Sequence, residues 1–212
     1  MKMNAGKPKF VVTAGPTREH LDPVRFLSNP STGKMGFAVA EAAAKRGCET
    51  VLVAGPVTLK TPPGVCRVDV VSAREMFAAV KDAAKGENVV LVATAAVADW
   101  RPAKCAALKL KKHQMSGVLK LVRNPDILKT VKGARKIGFA AETGSPLKEA
   151  ARKCREKRLE FIVANDVTEK GAGFASDTNR VTFVYPNATV KALPMMSKRA
   201  IAKRIVDEVL RA

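Results

Sequence analysis

Phe26-Leu-Ser-Asn-Pro-Ser-Thr-Gly-Lys-Met-Gly36 joins an N-terminal apolar strand to an alanine-rich helix through small hydroxyl residues, glycine and a lysine. Such a junction is how a fold builds a cradle for an oxyanion or phosphate. It offers exposed backbone N–H groups, a helix N-terminus and a mobile positive charge. The stretch nearly spells a Walker A loop. The form G-x-x-x-x-G-K-[ST] would need glycine at Ser28 and a hydroxyl at Met35. The loop therefore points to phosphate chemistry, but not to that of an ordinary ATPase.

Working outward, Phe10-Val-Val-Thr13 reads as a buried strand and residues 33–46 as a helix that Gly47 ends. Thr50-Val-Leu-Val-Ala54 completes a βαβ unit. A strand over 65–71 leads to a capping box, Ser72-Ala-Arg-Glu75, and to a helix whose apolar stripe is Met76, Phe77 and Val80. Asn88-Val-Val-Leu-Val-Ala93, Lys136-Ile-Gly-Phe-Ala140 and Phe161-Ile-Val-Ala164 are further buried strands. Between them, 108–111 and 118–122 alternate as exposed strands do, about a turn at Ser116-Gly117. Asn124-Pro125 reads as the cap and first-turn proline of a short helix, and Ser145-Pro146 as the start of another reaching about Arg158. Residues 179–184 and 188–193 suggest a β-hairpin around Pro186-Asn187. The last helix, from near Ser197, carries Ile201, Ile205 and Val209 on one face. The pattern predicts one domain over 1–212. It is α/β, with a doubly wound, mostly parallel, Rossmann-like sheet, a polar tail at 1–8, a basic segment at 103–122 and a small β-hairpin appendage.

Apolar residues form 47% of the 212 and aromatics only 5%. The core must be built from Ala, Val, Leu and Ile, as buried parallel sheets are. No apolar run approaches the roughly 20 residues of a membrane span, and the start lacks the apolar region of a signal peptide. Cys48, Cys66, Cys105 and Cys154 share no metal or redox spacing and read as reduced thiols of a cytoplasmic protein. His20 and His113 are the only histidines, which leaves no histidine metal site or Ser-His-Asp triad to expect. The net charge of +19 suits a polyanion: nucleic acid, an anionic membrane or a phosphorylated small molecule. Between Trp100 and Pro125 there is no acidic residue, while Arg101, Lys104, Lys109, Lys111, Lys112, Lys120 and Arg123 all fall there. A charge run is usually a solvated face. This one sits mid-fold among glycine, proline and strand residues, which favours an anion site.

Ligands of such sheets bind at the carboxyl ends of the strands. Small and polar residues gather there: Ala14 to Arg18 with the Asn29 to Lys34 loop, Thr94 to Arg101, Ala141 to Gly144, and Asn165-Asp166. Taken singly, Asp99 is a helix cap or ribose ligand, Trp100 packing, Phe139 core, Glu142 an ion-pair partner, and Lys153 with Lys157 a solvated helix face. A nucleoside triphosphate would need several cations and a magnesium ion held chiefly by phosphates and water, since no carboxylate cluster marks a protein-built cage.

Thr13-Ala-Gly-Pro-Thr-Arg18, Asp22-Pro-Val-Arg-Phe26, Ser28-Asn29 with Ser31 to Gly36, Ala95-Ala-Val-Ala-Asp-Trp-Arg-Pro102, Lys109-Leu-Lys-Lys112, Asn124-Pro-Asp-Ile127, Gly138-Phe-Ala-Ala-Glu-Thr143 and Ala164-Asn-Asp-Val167 occur in that order. The set, spanning nearly the whole chain, resembles the phosphopantothenoylcysteine synthetases, the phosphopantothenate–cysteine ligases of coenzyme A biosynthesis. The resemblance implies that 4′-phosphopantothenate attacks the α-phosphate of CTP, giving an acyl-cytidylate and pyrophosphate. L-Cysteine then displaces CMP. It implies Asn29 and Lys109 as catalytic residues, Asn29 holding the intermediate and Lys109 acting on nucleotide phosphate. Thr94, Ala95, Asp99, Lys109, Pro125, Asp126, Ile127, Leu128, Phe139, Lys153 and Lys157 would bind the nucleotide. Ser31, Gly33 and Lys34 would join Asn29 at the substrate phosphate or intermediate. It implies Mg²⁺ with CTP, no flavin in this chain, a homodimer, and a phosphopantothenoylcysteine decarboxylase as partner or fused domain, with neither nucleic acid nor membrane, and it makes the basic segment at 103–122 a flap that closes over the site. Pro30, Thr32 and Trp100 depart from the common bacterial pattern while keeping its shape and polarity.

Two rival readings are weaker. A dinucleotide oxidoreductase lacks G-x-G-x-x-G after the first strand and an acidic end to the second. A nucleic-acid binder explains the charge but not the small-residue loops, and lacks aromatics for base stacking.

Overall fold

The computed structural model describes residues 6–112, 117–142, 146–166, 173 and 176–211. In chain order the elements are β1 (Lys9–Ala14), β2 (Arg18–His20), β3 (Phe26–Ser28), α1 (Lys34–Lys45), β4 (Thr50–Ala54), β5 (Cys66–Asp69), α2 (Ala73–Ala83) and β6 (Val89–Ala93). There follow β7 (Trp100–Pro102), β8 (Leu121–Arg123), α3 (Ile127–Thr130), β9 (Arg135–Glu142), α4 (Pro146–Glu156) and β10 (Phe161–Asp166). The chain closes with β11 (Thr178–Asn179), β12 (Thr182–Val184), β13 (Val190–Ala192), β14 (Met196–Ser197) and α5 (Lys198–Arg211).

Among the described residues the central sheet has eight strands in the order β13-β12-β10-β9-β6-β1-β4-β5. From β10 to β5 all pairings are parallel. Taken in chain order, these strands run sixth, fifth, fourth, first, second, third, the doubly wound arrangement expected. Both faces of the inner strands are covered, so their central residues are apolar, whereas the edge strand β5, Cys66-Arg-Val-Asp69, is largely exposed. Phe10 and Val12 face the layer of α1 and α5, where Ile201, Ile205 and Val209 of α5 pack against Ala residues of α1. Val11 faces α2, beside Met76 and Val80. Ile162 and Ala164 of β10 face α4. No helix among the described residues is long and apolar enough to cross a membrane.

The capping box at α2 forms: Ser72 Oγ accepts from Glu75 N, and Glu75 reaches back to accept from Val71 N at 2.8 Å. The hairpin of β12 and β13 is present, but it extends the main sheet rather than standing apart. β12 pairs antiparallel with β10, which buries Phe183 against Phe161 at a centroid distance of 5.1 Å.

Two local expectations change. Asp126, not Asn124, caps α3, its side chain accepting from Lys129 N at 3.0 Å. Asn124 is already committed to the Ala98 carbonyl and to Arg101. In the basic segment, the strand is β8, and its antiparallel partner is β7 rather than residues 108–111. Alternation at 108–111 and 118–120 finds no layer to bury its apolar side: Leu108 and Val118 are 81% and 82% exposed. The expected turn at Ser116 and the tail at 1–5 lie outside the described residues, as does the expected helix start at Ser145.

α1 crosses the sheet at Gly36. A Cβ there would stand 2.4 Å from Thr94 Oγ1 and 2.8 Å from the Thr13 carbonyl. Gly36→Ala must push α1 off β1 and β6, with an expected loss of about 1–3 kcal/mol of stability, as overpacked cores show. Equilibrium urea unfolding with an unchanged slope checks it; an undiminished midpoint would contradict the close approach.

Candidate active site

β1 and β6 are neighbours whose connections leave in opposite directions, so a crevice opens above their carboxyl ends. The two loops that rise there are zipped together. Thr94 Oγ1 donates to the Thr13 carbonyl at 2.5 Å, and Ala95 N donates to Thr13 Oγ1 at 3.2 Å. Ala96 N donates to Gly15 O, Thr17 N donates to Ala96 O, and Ala98 N donates to Thr17 Oγ1. Small side chains at Gly15, Ala95 and Ala96 let the backbones meet. The opening loop hangs from this seam: Ser28 Oγ donates to Thr17 O at 2.8 Å and Asn29 Nδ2 to Ala96 O at 3.1 Å.

Two cavities flank the seam. One, of about 320 Å³, lies over the N-terminus of α1 and is lined by Ser31, Gly33, Lys34, Thr94, Lys153 and Lys198 among others. The second, of about 440 Å³, is lined by Trp100, Arg123, Lys157 and the run from Asn124 to Leu128. Ala95, Val97, Asp99 and Phe139 line both and form the wall between them. Lys153 and Lys157, one turn apart, therefore each serve a different cavity. All the residues expected to hold nucleotide are brought here except Lys109. Lys109 is exposed, and it lines neither cavity. Asn29 is exposed, also lines neither cavity, and is tied by its amide to the seam. Trp100 is 44% exposed and stacks under the Arg123 guanidinium, 5.1 Å from the ring centroid.

Residues 5–212 match the model of the DNA/pantothenate metabolism flavoprotein C-terminal domain. The chain belongs to this family. It is 45% identical over 209 residues to the coenzyme A biosynthesis bifunctional protein CoaBC of Escherichia coli (strain K12), covering 95% of this chain and 51% of that protein. The chain thus spans about half the length of the curated relatives it matches. The crystal structure of the C-terminal domain of a CoaBC protein superposes with a TM-score of 0.81 at 39% identity, covering 97% of this chain and 95% of that one. A Cab2 variant, solved with phosphopantothenate-cysteine, shares the fold at a TM-score of 0.77 and 16% identity over 96% of this chain and 85% of that one.

Three functional-looking groups escaped sequence reasoning. Asp22 is fully buried. Its Oδ1 accepts from the N–H groups of Val24 and Arg25, and its Oδ2 from Arg25 Nε and Nη2 and from Leu110 N. Arg25 Nη2 also donates to the Leu110 carbonyl at 2.8 Å. Ala106 N donates to Leu21 O nearby. The basic segment is thereby rooted next to Lys109. The Asp-x-x-Arg spacing, an Asx turn with a returning guanidinium, was the available signal. Lys136, 9% exposed on β9, donates from Nζ to the Leu128 carbonyl and so braces α3 from below. Burial, and then the charge of Arg158, push its pKa down. Lys198 is buried at the start of α5.

Lys157 donates to Asp126 at 2.8 Å across the second cavity. Burial pushes the Asp126 carboxyl up, but the hydrogen bonds from Lys157 and Lys129 N outweigh it and the net shift is down. Among the described residues no group of three or more His, Cys, Asp or Glu side chains could hold a metal ion.

The Arg25 guanidinium, against the cost of burial, holds the Asp22 carboxyl well below its ordinary value of 3.8. A depressed folded-state pKa gives stability that is complete above the unfolded value and fades as pH falls below it. Asp22→Asn should lower the melting temperature by several degrees at pH 7 and flatten the loss of stability below about pH 4. Melting curves for both proteins across this range check it. Parallel acid profiles would show that the clamp contributes no linkage.

Proposed function

We propose that this chain is a phosphopantothenate–cysteine ligase that uses CTP. The observation that carries the reading is the pair of cavities meeting at Asp99 and Phe139, in a chain whose relatives are coenzyme A biosynthesis proteins. A mononucleotide fits the second cavity, where Asp99 faces a ribose hydroxyl and Phe139 a base or sugar face. The N–H groups at the start of α3 and Lys157 meet its phosphates. Lys153 and the Ser31 to Lys34 loop face the adjoining cavity, where the second substrate lies. In step one a substrate carboxylate oxygen bonds to the α-phosphorus as the α–β anhydride breaks, releasing pyrophosphate and leaving an acyl-cytidylate. In step two the cysteine amine adds to the activated carbonyl, loses its proton, and CMP leaves as the amide forms. Neither step needs an enzyme nucleophile; the residues position the reactants and offset charge.

Asn29, whose Nδ2 carries a second hydrogen beside the one given to the Ala96 carbonyl, holds the intermediate for step two as a donor. Lys109 serves step one. Because it lies outside both cavities, the segment rooted at Asp22 must swing to bring it onto the phosphates. A magnesium ion would come with the nucleotide, held by phosphate oxygens and water, since the described residues form no cage of their own. The same reading includes a homodimer and a decarboxylase, fused or separate, working with this chain. The Cab2 structure was solved with phosphopantothenate-cysteine, the product that this reading assigns to the chain.

Pyrophosphate release is expected only when CTP, Mg²⁺ and 4′-phosphopantothenate are all present, with ATP a poor substitute, and CMP release should require cysteine as well. Silence in both assays would overturn the proposal, and equal use of ATP would overturn the nucleotide assignment. Lys109→Gln should slow pyrophosphate release. Asn29→Asp should leave the first step and slow the second by roughly 10²-fold, the scale of one lost oxyanion donor. Rapid-quench analysis for accumulated acyl-cytidylate separates the two; unchanged turnover in Asn29→Asp would refute its role.

A further inference from the structure

α3 is one turn long, too short to hold its place by its own hydrogen bonds. Yet Pro125, Asp126, Ile127 and Leu128 form one side of the second cavity. Polar ties fix this segment from several directions. In front, Asn124 N donates to Asp99 O and Asn124 Nδ2 to Ala98 O, both at 2.8 Å. At the side, Lys157 pairs with Asp126 at 2.8 Å. Behind, Lys136 Nζ donates to Leu128 O at 2.8 Å.

The rear tie answers a defect of the helix itself. Asp126 O accepts from Thr130 N and Ile127 O from Val131 N, each at 3.0 Å. The chain then turns extended at Val131, with φ −70° and ψ 126°, so the helix offers no further N–H to the Leu128 carbonyl. Lys136 supplies that donor from β9. Its register partner on β6 is Leu91, in the apolar layer that includes Ile127 and Val131. An ammonium in such a layer is costly, and a methionine of similar length would fill the space without the charge.

On the ligase reading the side tie is temporary. Lys157 and Asp126 are both partly exposed, and a nucleotide phosphate is a stronger partner for Lys157 than this carboxylate. Once Lys157 turns to phosphate, α3 loses its polar tie to α4. Lys136 is not drawn into that exchange, because it lines neither cavity.

Resting on that reading, we infer that Lys136 is a positioning residue for the nucleotide: it holds α3 against β9 in the state in which Lys157 has left Asp126 for the phosphates. It acts through α3 and touches neither substrate. Its removal therefore weakens nucleotide binding. The acid substrate is unaffected, since among the described residues the α1 cavity is lined without α3.

Calorimetry with CTP and Mg²⁺, and separately with 4′-phosphopantothenate, on wild type and Lys136→Met tests this. CTP should bind at least about fivefold more weakly, the scale of one lost hydrogen bond. Phosphopantothenate affinity should stay unchanged. In turnover, the KM for CTP should rise while kcat at saturating CTP is kept. A merely structural lysine would instead weaken both ligands together. Equal loss for both, unchanged CTP affinity, or a loss confined to kcat would overturn the inference. If Lys136→Met does not fold, Lys136→Gln, which keeps a donor on a shorter arm, takes the same comparison with the same outcomes for and against. The ligase reading fails separately. Wild-type protein whose CTP binding depends on Lys136, yet which releases no pyrophosphate with phosphopantothenate present, refutes the ligase and keeps the positioning role. Normal pyrophosphate release with an unchanged KM for CTP in Lys136→Met does the reverse.

Discussion

The hydrogen-bonded seam between the loops after β1 and β6 is the constraint on which the site depends. Thr13 and Thr94 each give a side chain to the other's loop, so strand ends that would otherwise splay apart stay in register for several residues beyond the sheet. Such side-chain bonds to backbone take the place of ladder bonds that the departing chains can no longer make. The approach requires missing side chains. Gly36 lies under Thr94, and a Cβ on Gly55 would come within 1.8 Å of the Pro16 carbonyl. From this seam hang Asn29, Ser28 and the wall residues Ala95, Val97 and Asp99. A shift of the seam would therefore misplace the rim and the partition of both cavities together.

The ion pairs of the site are set for exchange rather than for stability. Lys157 with Asp126, and Lys34 with Asp177, join side chains that are each between 29% and 85% exposed. Pairs of this kind contribute about 0–1 kcal/mol. A phosphate with two negative charges offers each lysine a stronger partner than a half-solvated carboxylate does. On the ligase reading, the carboxylates thus hold the ammonium groups near their working positions, and giving them up costs little. The Asp22–Arg25 clamp is the opposite case. It is fully buried on the Asp side and accepts from backbone and guanidinium alike, and it holds a loop rather than awaiting a ligand.

The sheet was legible because five of its six parallel strands carry apolar runs bounded by glycine, proline and small polar residues, the edge strand β5 being the exception, and α2 and α5 carry clear caps or stripes. Where reading failed, two signals of equal local strength competed. Asn124-Pro125 and Asp126 both describe a helix start, and only the tertiary partner at Ala98 shows which side chain is already engaged. The alternation at 108–111 is real, but a strand needs a partner edge, and that edge went to β7. The wall residues Asp99 and Phe139 looked ordinary in sequence; their meaning comes from β6 and β9 lying side by side. Lys136 and Lys198 were hidden for the same reason. A lysine beginning a strand or helix reads as solvated, and nothing local tells that it faces inward.

The departures of the opening loop from Walker A have a structural cause in α1. In that motif the residue after the lysine supplies a hydroxyl to a metal. Here that residue is Met35, which packs against the core beside Phe37 and Val39. The next residue must be glycine, because α1 passes within contact of Thr94. The first turn of α1 is thus spent on docking the helix to the seam, and its lysine is left at the α1 cavity with an exposed aspartate for company. A loop so arranged can cradle one end of an anionic ligand. It lacks the hydroxyl that follows the lysine in a Walker A loop. On the ligase reading, the physical task that remains to it is to hold a terminal phosphate while the chemistry proceeds at the other end of the molecule.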